Sequence, residues 1–142
     1  MSTGSRPIYF NLAAVFATLA LSAGWVLADA TKLKLSGDQE VPAVTTSATG
    51  TSTIAVAADK SVKGAVTTTG VEGIAAHVHV AAPGKIGPPI ITLTKTADNV
   101  WSVPAGATLT DAQYASYKAG DLYVNVHSAA NKGGEIRAQL KP

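Results

Sequence analysis

Leu122-Tyr123-Val124-Asn125-Val126-His127, then the glycine turn at Lys132-Gly133-Gly134, then Glu135-Ile136-Arg137-Ala138-Gln139-Leu140: this C-terminal stretch decides the fold class. Both runs alternate in side-chain character with period two. That is the signature of strands in which successive residues point to opposite faces of a sheet. Working back along the chain, similar short β-branched runs recur at Thr31–Leu35, Thr51–Ala58, Val62–Thr68, Ala75–Val80, Pro89–Thr94 and Val100–Val103. Turn signals separate them at Ala58-Asp59-Lys60-Ser61, Pro83-Gly84, Gly87-Pro88-Pro89 and Ala97-Asp98-Asn99. Strands of this length and spacing argue for an antiparallel, Greek-key-like β-sandwich with one wet and one buried face to each sheet.

One segment breaks the pattern. In Leu109-Thr110-Asp111-Ala112-Gln113-Tyr114, Thr110 stands at an N-cap with Gln113 three residues on, a capping box, and Leu109 and Tyr114 occupy the staple positions. Gly120 follows as a stop signal. The expectation is one short helix over Asp111–Ala119, too short to be stable alone and docked through Leu109, Tyr114 and Tyr117.

The N-terminus reads differently from the rest. Arg6 is the only charged side chain before Asp29, and an uncharged, largely apolar run extends from Ile8 to Ala28. A basic start, an apolar stretch and a small-residue exit is the pattern of a secretory signal, with cleavage after Ala28 or Ala30. The expected organisation is a signal peptide over residues 1–28 and one domain over 31–142, secreted or periplasmic. Contact with the membrane would come only through an uncleaved signal acting as an anchor.

Composition narrows the functions further. Of 142 residues, 46% are hydrophobic and 14% charged, enough apolar content to fill one core. The net charge of +2 is spread over single lysines, which excludes a nucleic-acid footprint. There is no Cys, hence no disulfide, no thiolate metal ligand and no cysteine nucleophile, and the single Met is the initiator. No nucleophile elbow, phosphate loop or dinucleotide motif is present, so no catalytic residue is assigned.

The three histidines carry the chemistry. His77 and His79 alternate onto one face of Ala76-His77-Val78-His79-Val80, and His127 shares a face with Tyr123 and Asn125. Strands that neighbour would bring all three imidazoles together. Neutral imidazole suits zinc and copper, and three such ligands leave one position for water, a carboxylate or a small ligand. Glu72, Asn125 and Glu135 are candidates to complete or support the set. The competing reading is that the imidazoles tie strand ends to loop carbonyls, in a noncatalytic extracellular or envelope interaction module. Glu135 and Arg137, on one face of the last strand, read as a surface charge pair of little energetic weight. Trp101 reads as core or rim packing.

The ordered motifs also resemble a known family. Leu35-Ser36-Gly37-Asp38-Gln39-Glu40-Val41-Pro42 looks like the "LSGxQEVPP" opening of CHRD (chordin) domains, and Ala76-His77-Val78-His79 with Gly84 and Gly87-Pro88 is similar to their "AHIHGxA..G..GP" segment. Gly120 to Gln139 resembles the closing "GxLYVNVHT…GGEIRGQ". The likeness runs from about Lys32 to Leu140. It implies an antiparallel β-sandwich, found singly in exported microbial proteins and repeated in chordin, an extracellular antagonist of growth factors. Chordin's cysteine-rich modules are missing here, so that role does not carry over. The matched histidines make a metal site, His77, His79 and His127, the natural expectation. Val80, Ala43 and Ala138 stand where the family has Gly, Pro and Gly, and a side chain at Val80 is expected to narrow access to His79. The H-x-H pair also looks like the copper half-site of copper–zinc superoxide dismutases. Three histidines are too few for a second metal, which leaves at most a mononuclear site.

Overall fold

In a computed structural model, residues 32–142 are described; the signal-like segment lies outside them. The described residues form eleven strands, one 3-10 turn and one helix: β1 (Leu33–Leu35), the 3-10 turn (Gly37–Gln39), β2 (Thr49–Ser52), β3 (Ala55–Val56), β4 (Val62–Lys63), β5 (Ala65–Thr69), β6 (Gly73–Val80), β7 (Pro89–Thr92), β8 (Thr94–Ala97), β9 (Val100–Ser102), α1 (Asp111–Ala119), β10 (Leu122–Ser128) and β11 (Ile136–Gln139). One sheet runs β1-β2-β5-β9-β8, a second runs β11-β10-β6-β7, and β3-β4 form a small separate ribbon. All pairings are antiparallel.

The core lies between the two larger sheets. From the first come Leu35, Val66 and Trp101; from the second come Ala76, Val78, Leu122, Val124, Val126, Ile136 and Ala138, all buried. Glycine at position 50 permits close approach, since a Cβ there would stand 3.1 Å from Ile136 Cδ1. The sheets join at two seams. Ser36 and Arg137 exchange backbone hydrogen bonds, which ties β1 to β11. On the other side β7 and β8 are consecutive, and Leu93 between them is buried with its N–H on Ala76.

Three expected strands are interrupted, for local reasons. Pro89–Thr94 breaks at Leu93 between β7 and β8, Thr51–Ala58 divides into β2 and β3, and Val62–Thr68 into β4 and β5. Gly64 sits between the latter pair at φ 122°, with its Cα so close to Thr53 that a Cβ would meet the Thr53 carbonyl at 2.5 Å. The chain can bend there only because the residue is glycine. The helix occupies the expected residues. Thr110 Oγ1 accepts from Gln113 N–H, Gln113 Oε1 accepts from Thr110 N–H, and Gly120 closes the helix at φ 83°. Leu109 and Tyr117 are buried, and Tyr114 packs against the core at its edge. No described helix is long and apolar enough to cross a membrane.

Without cysteines, this core must hold the domain by packing. Leu35 is fully buried where the two sheets meet, so Leu35→Ala is expected to lower the unfolding free energy by about 2–5 kcal/mol, through lost transfer energy plus a cavity. Chemical denaturation of the two proteins at equilibrium measures it; a change under about 1 kcal/mol would contradict this placement of the core.

Candidate metal centre

The outer face of the second sheet is polar yet mostly covered. The register sets His77 opposite Asn125 and His79 opposite Tyr123, while Asn125 and Tyr123 in turn face Arg137 and Gln139. Alternation sends Val78, Val124, Val126, Ile136 and Ala138 into the core and aims His77, His79, Tyr123, Asn125, His127, Arg137 and Gln139 the other way. On that second face His79, Tyr123, Asn125 and Arg137 are nevertheless buried. The cover comes from the loop after β6, the loop before β11 and the segment after the 3-10 turn.

The three imidazoles meet. One ring nitrogen from each of His77, His79 and His127 lies within 4.8 Å of the others. His77 Nδ1 and His127 Nε2 are 3.0 Å apart. The outward nitrogens of two rings are held by carbonyls: His79 Nδ1–H donates to Gly87 O at 2.9 Å, and His127 Nδ1–H donates to Lys132 O at 2.8 Å. Those bonds fix the tautomers, and leave Nε2 of each ring as a lone-pair donor facing its neighbours. His79 Nε2 is buried and has no hydrogen-bond partner. Burial, and then repulsion from His127 and His79, holds His77 below the ordinary imidazole range; burial chiefly does the same for His79.

A stack braces His79. Its ring lies parallel to Tyr123, centroids 4.7 Å apart at 3°, and the Arg137 guanidinium carbon stands 3.5 Å from the Tyr123 centroid. Arg137 also donates to Lys85 O at 2.7 Å and to Gln139 Oε1 at 3.1 Å, and Gln139 donates to Ala81 O at 2.7 Å. The loop from Ala81 to Gly87 is thus fastened to the sheet beside the ring whose proton its Gly87 carbonyl accepts. Gly87 must be glycine, because a Cβ would strike the Val80 carbonyl.

Two expectations need correction. Arg137 is not a surface partner of Glu135: it is 1% exposed and stacked on Tyr123, while Glu135 accepts from Thr46 Oγ1 at 2.7 Å. Val80 does not narrow the way to His79, since it packs on the core side of β6. Of the candidates to complete the site, Glu135 is engaged by Thr46 and Ser128, and Glu72 is exposed on the lip of a hollow shared with Lys95, Asp98, Asn99 and Trp101. Trp101 itself is core. Only Asn125 lies among the histidines.

Glu40 stands in the Leu35–Pro42 motif, where the sequence attaches no role to it. Gly37 lets the chain turn tightly, since a Cβ there would meet the Val44 carbonyl, and both Glu40 N–H and Val44 N–H donate to Gly37 O. The turn delivers Glu40 inward, 6% exposed, against Asn125 and Gly134. Burial pushes its carboxyl up to about 7, although Asn125 and Arg137 favour the ionised form. Its sequence signal is its place in the Leu35–Pro42 motif.

No curated protein and no solved structure matches the chain. A family model described as CHRD domain matches residues 31–140, the whole of the sandwich with the 3-10 turn, both histidine strands and the glycine loop. The chain is a member of the CHRD domain family.

Proposed function

We propose that this chain is an exported CHRD-domain protein that binds a single copper or zinc ion through His77, His79 and His127, for metal handling or, with copper, simple redox chemistry. One observation carries the reading: three imidazole nitrogens converge within 4.8 Å, two of the rings having their other nitrogen held by a backbone carbonyl. Structural histidines that merely tie loops would need the outward bonds only. Here the inward nitrogens are also gathered, and His79 Nε2 is left buried without a partner, a costly arrangement unless something binds there.

The donor set fits such an ion. Two nitrogens bound tetrahedrally at about 2.0–2.1 Å stand about 3.3–3.4 Å apart, close to the separation of His77 Nδ1 from His127 Nε2. With His127 Nδ1–H committed to Lys132, its Nε2 is an acceptor, so in the metal-free protein His77 donates from Nδ1. An ion would take both lone pairs and require the His77 proton on Nε2 instead. When bound, zinc would supply Lewis acidity and copper a one-electron couple. Export is supported by Arg6, the apolar run to Ala28 and the small-residue exit that follows.

Metal analysis of untagged protein, followed by titration of the stripped protein with Cu²⁺ and Zn²⁺, tests this. One ion per chain is expected, and His127→Ala should weaken binding by more than about 100-fold, beyond what loss of a supporting group costs. A stoichiometry far below one, or binding indifferent to His127→Ala, would remove the proposal.

Acid gives a second check. Metal needs neutral imidazole, and His77 and His79 sit below their usual 6.5. Zinc affinity should therefore hold nearly level from pH 8 to 6.5 and fall only on further acidification. Competition against a chromophoric chelator across that range measures it. A steep loss already between pH 8 and 7 would mean that the ligands are not these desolvated rings.

A further inference from the structure

Asn125 stands at the centre of the three histidines. It is directly across the ladder from His77, one pair diagonal to His79, and on the same face of β10 as His127. It is 1% exposed, and its Oδ1 has no hydrogen-bond partner. The other buried orphan of this face is His79 Nε2, on the ring one pair diagonal to Asn125. A polar gap between an amide oxygen and an imidazole nitrogen, both dry, is a place for something that both can touch.

At the opposite end of the same amide, Asn125 Nδ2 donates to Gly133 O at 3.4 Å and lies near the Glu40 carboxyl beside Gly134. An amide placed between a carboxylate and a carbonyl must present its nitrogen to both, which turns its oxygen away from them and toward the rings. Gly134 makes room for this. It sits at φ 126°, and a Cβ there would come within 2.4 Å of both Asn125 Nδ2 and Glu40 Oε1. The glycine loop, the Glu40 turn and the central strand thus converge on the orientation of one side chain.

We infer that Asn125 Oδ1 supplies the fourth contact to the ion held by His77, His79 and His127, and that Glu40 is the positioning residue that aims it. The inference rests on the three-histidine reading above. No carboxylate belongs to the group of atoms that gathers within 4.8 Å, so Glu40 acts through Asn125 rather than on the ion. A carboxyl group beside Nδ2 favours the amide orientation that turns Oδ1 toward the rings. Three imidazoles and one amide oxygen make a closed four-coordinate set, which favours holding an ion over presenting it to a substrate.

Co²⁺ is the probe, because its visible bands report coordination number and donor type. The full chain is compared with Asn125→Leu and Glu40→Leu, each checked for native circular dichroism. The unaltered protein should bind one Co²⁺. Both variants should weaken it about 10–100-fold and shift the bands, as changes to groups that complete or orient a ligand set do. Glu40→Leu removes a desolvated carboxyl and should keep the fold, so it decides the matter alone if Asn125→Leu misfolds. Wild-type affinity with unchanged bands in Glu40→Leu, even with an altered melting temperature, would make Glu40 merely structural and overturn the inference. If the unaltered protein takes up no Co²⁺, the three-histidine reading itself fails and this one falls with it.

Discussion

A sheet buried on both faces has to find hydrogen-bond partners for every polar group that it turns away from the core, and this domain is organised around that demand. The central pair, β6 and β10, is apolar toward the sandwich and carries histidine, tyrosine and asparagine on the reverse. Loops then close over the reverse side and exclude water from much of it. What results is a polar layer in which nearly each group is spoken for: Arg137 by two loop carbonyls and a tyrosine face, Gln139 by Ala81 and Gly120, two imidazoles by Gly87 and Lys132. Against that background the three atoms without partners, on Glu40, His79 and Asn125, stand out. They lie in one neighbourhood, and they define the site more sharply than any hollow on the surface does.

Most of the architecture was readable from the chain because period-two alternation and turn glycines are local signals. The helix boundaries followed from Thr110, Gln113 and Gly120 alone. The meeting of the histidines followed from their faces, once β6 and β10 became neighbours. The failures have a common origin. Alternation says which residues share a face and is silent on whether that face is wet. Assuming one dry side per sheet put Arg137 at the surface, whereas loops distant in sequence bury it. Glu40 was left without a role for the same reason, since its neighbours Asn125 and Gly134 lie far along the chain and nothing local marks the encounter. The breaks at Gly64 and Leu93 depend on contacts with Thr53 and Ala76 that no short window contains.

The family-typical glycines take on physical meaning in this light. Gly37, Gly87 and Gly134 are each positions where a methyl group would collide with a carbonyl or a buried side chain, and each anchors one of the loops that roof the polar layer. The CHRD motifs are therefore largely instructions for the roof, and the histidine strands are the floor beneath it. The two were conspicuous in the sequence as separate strings; only the fold shows that they enclose a single space.

The seams between the sheets have a consequence for how the molecule behaves in company. Where β1 meets β11, Ser36 and Arg137 satisfy each other's backbone, and on the other side of the sandwich the chain passes from β7 through Leu93 directly into β8 of the other sheet. Apart from the two-residue strands of the β3-β4 ribbon, the unpaired borders among the described strands are the short β7 and β8, which begin at Pro89 and carry Lys95 and an irregular register. Proline, lysine and a bulge are poor templates for a further strand. A β-rich chain with no disulfide to lock it is thereby guarded against edge-to-edge polymerisation, a protection that matters most where copies are crowded and chaperones are absent.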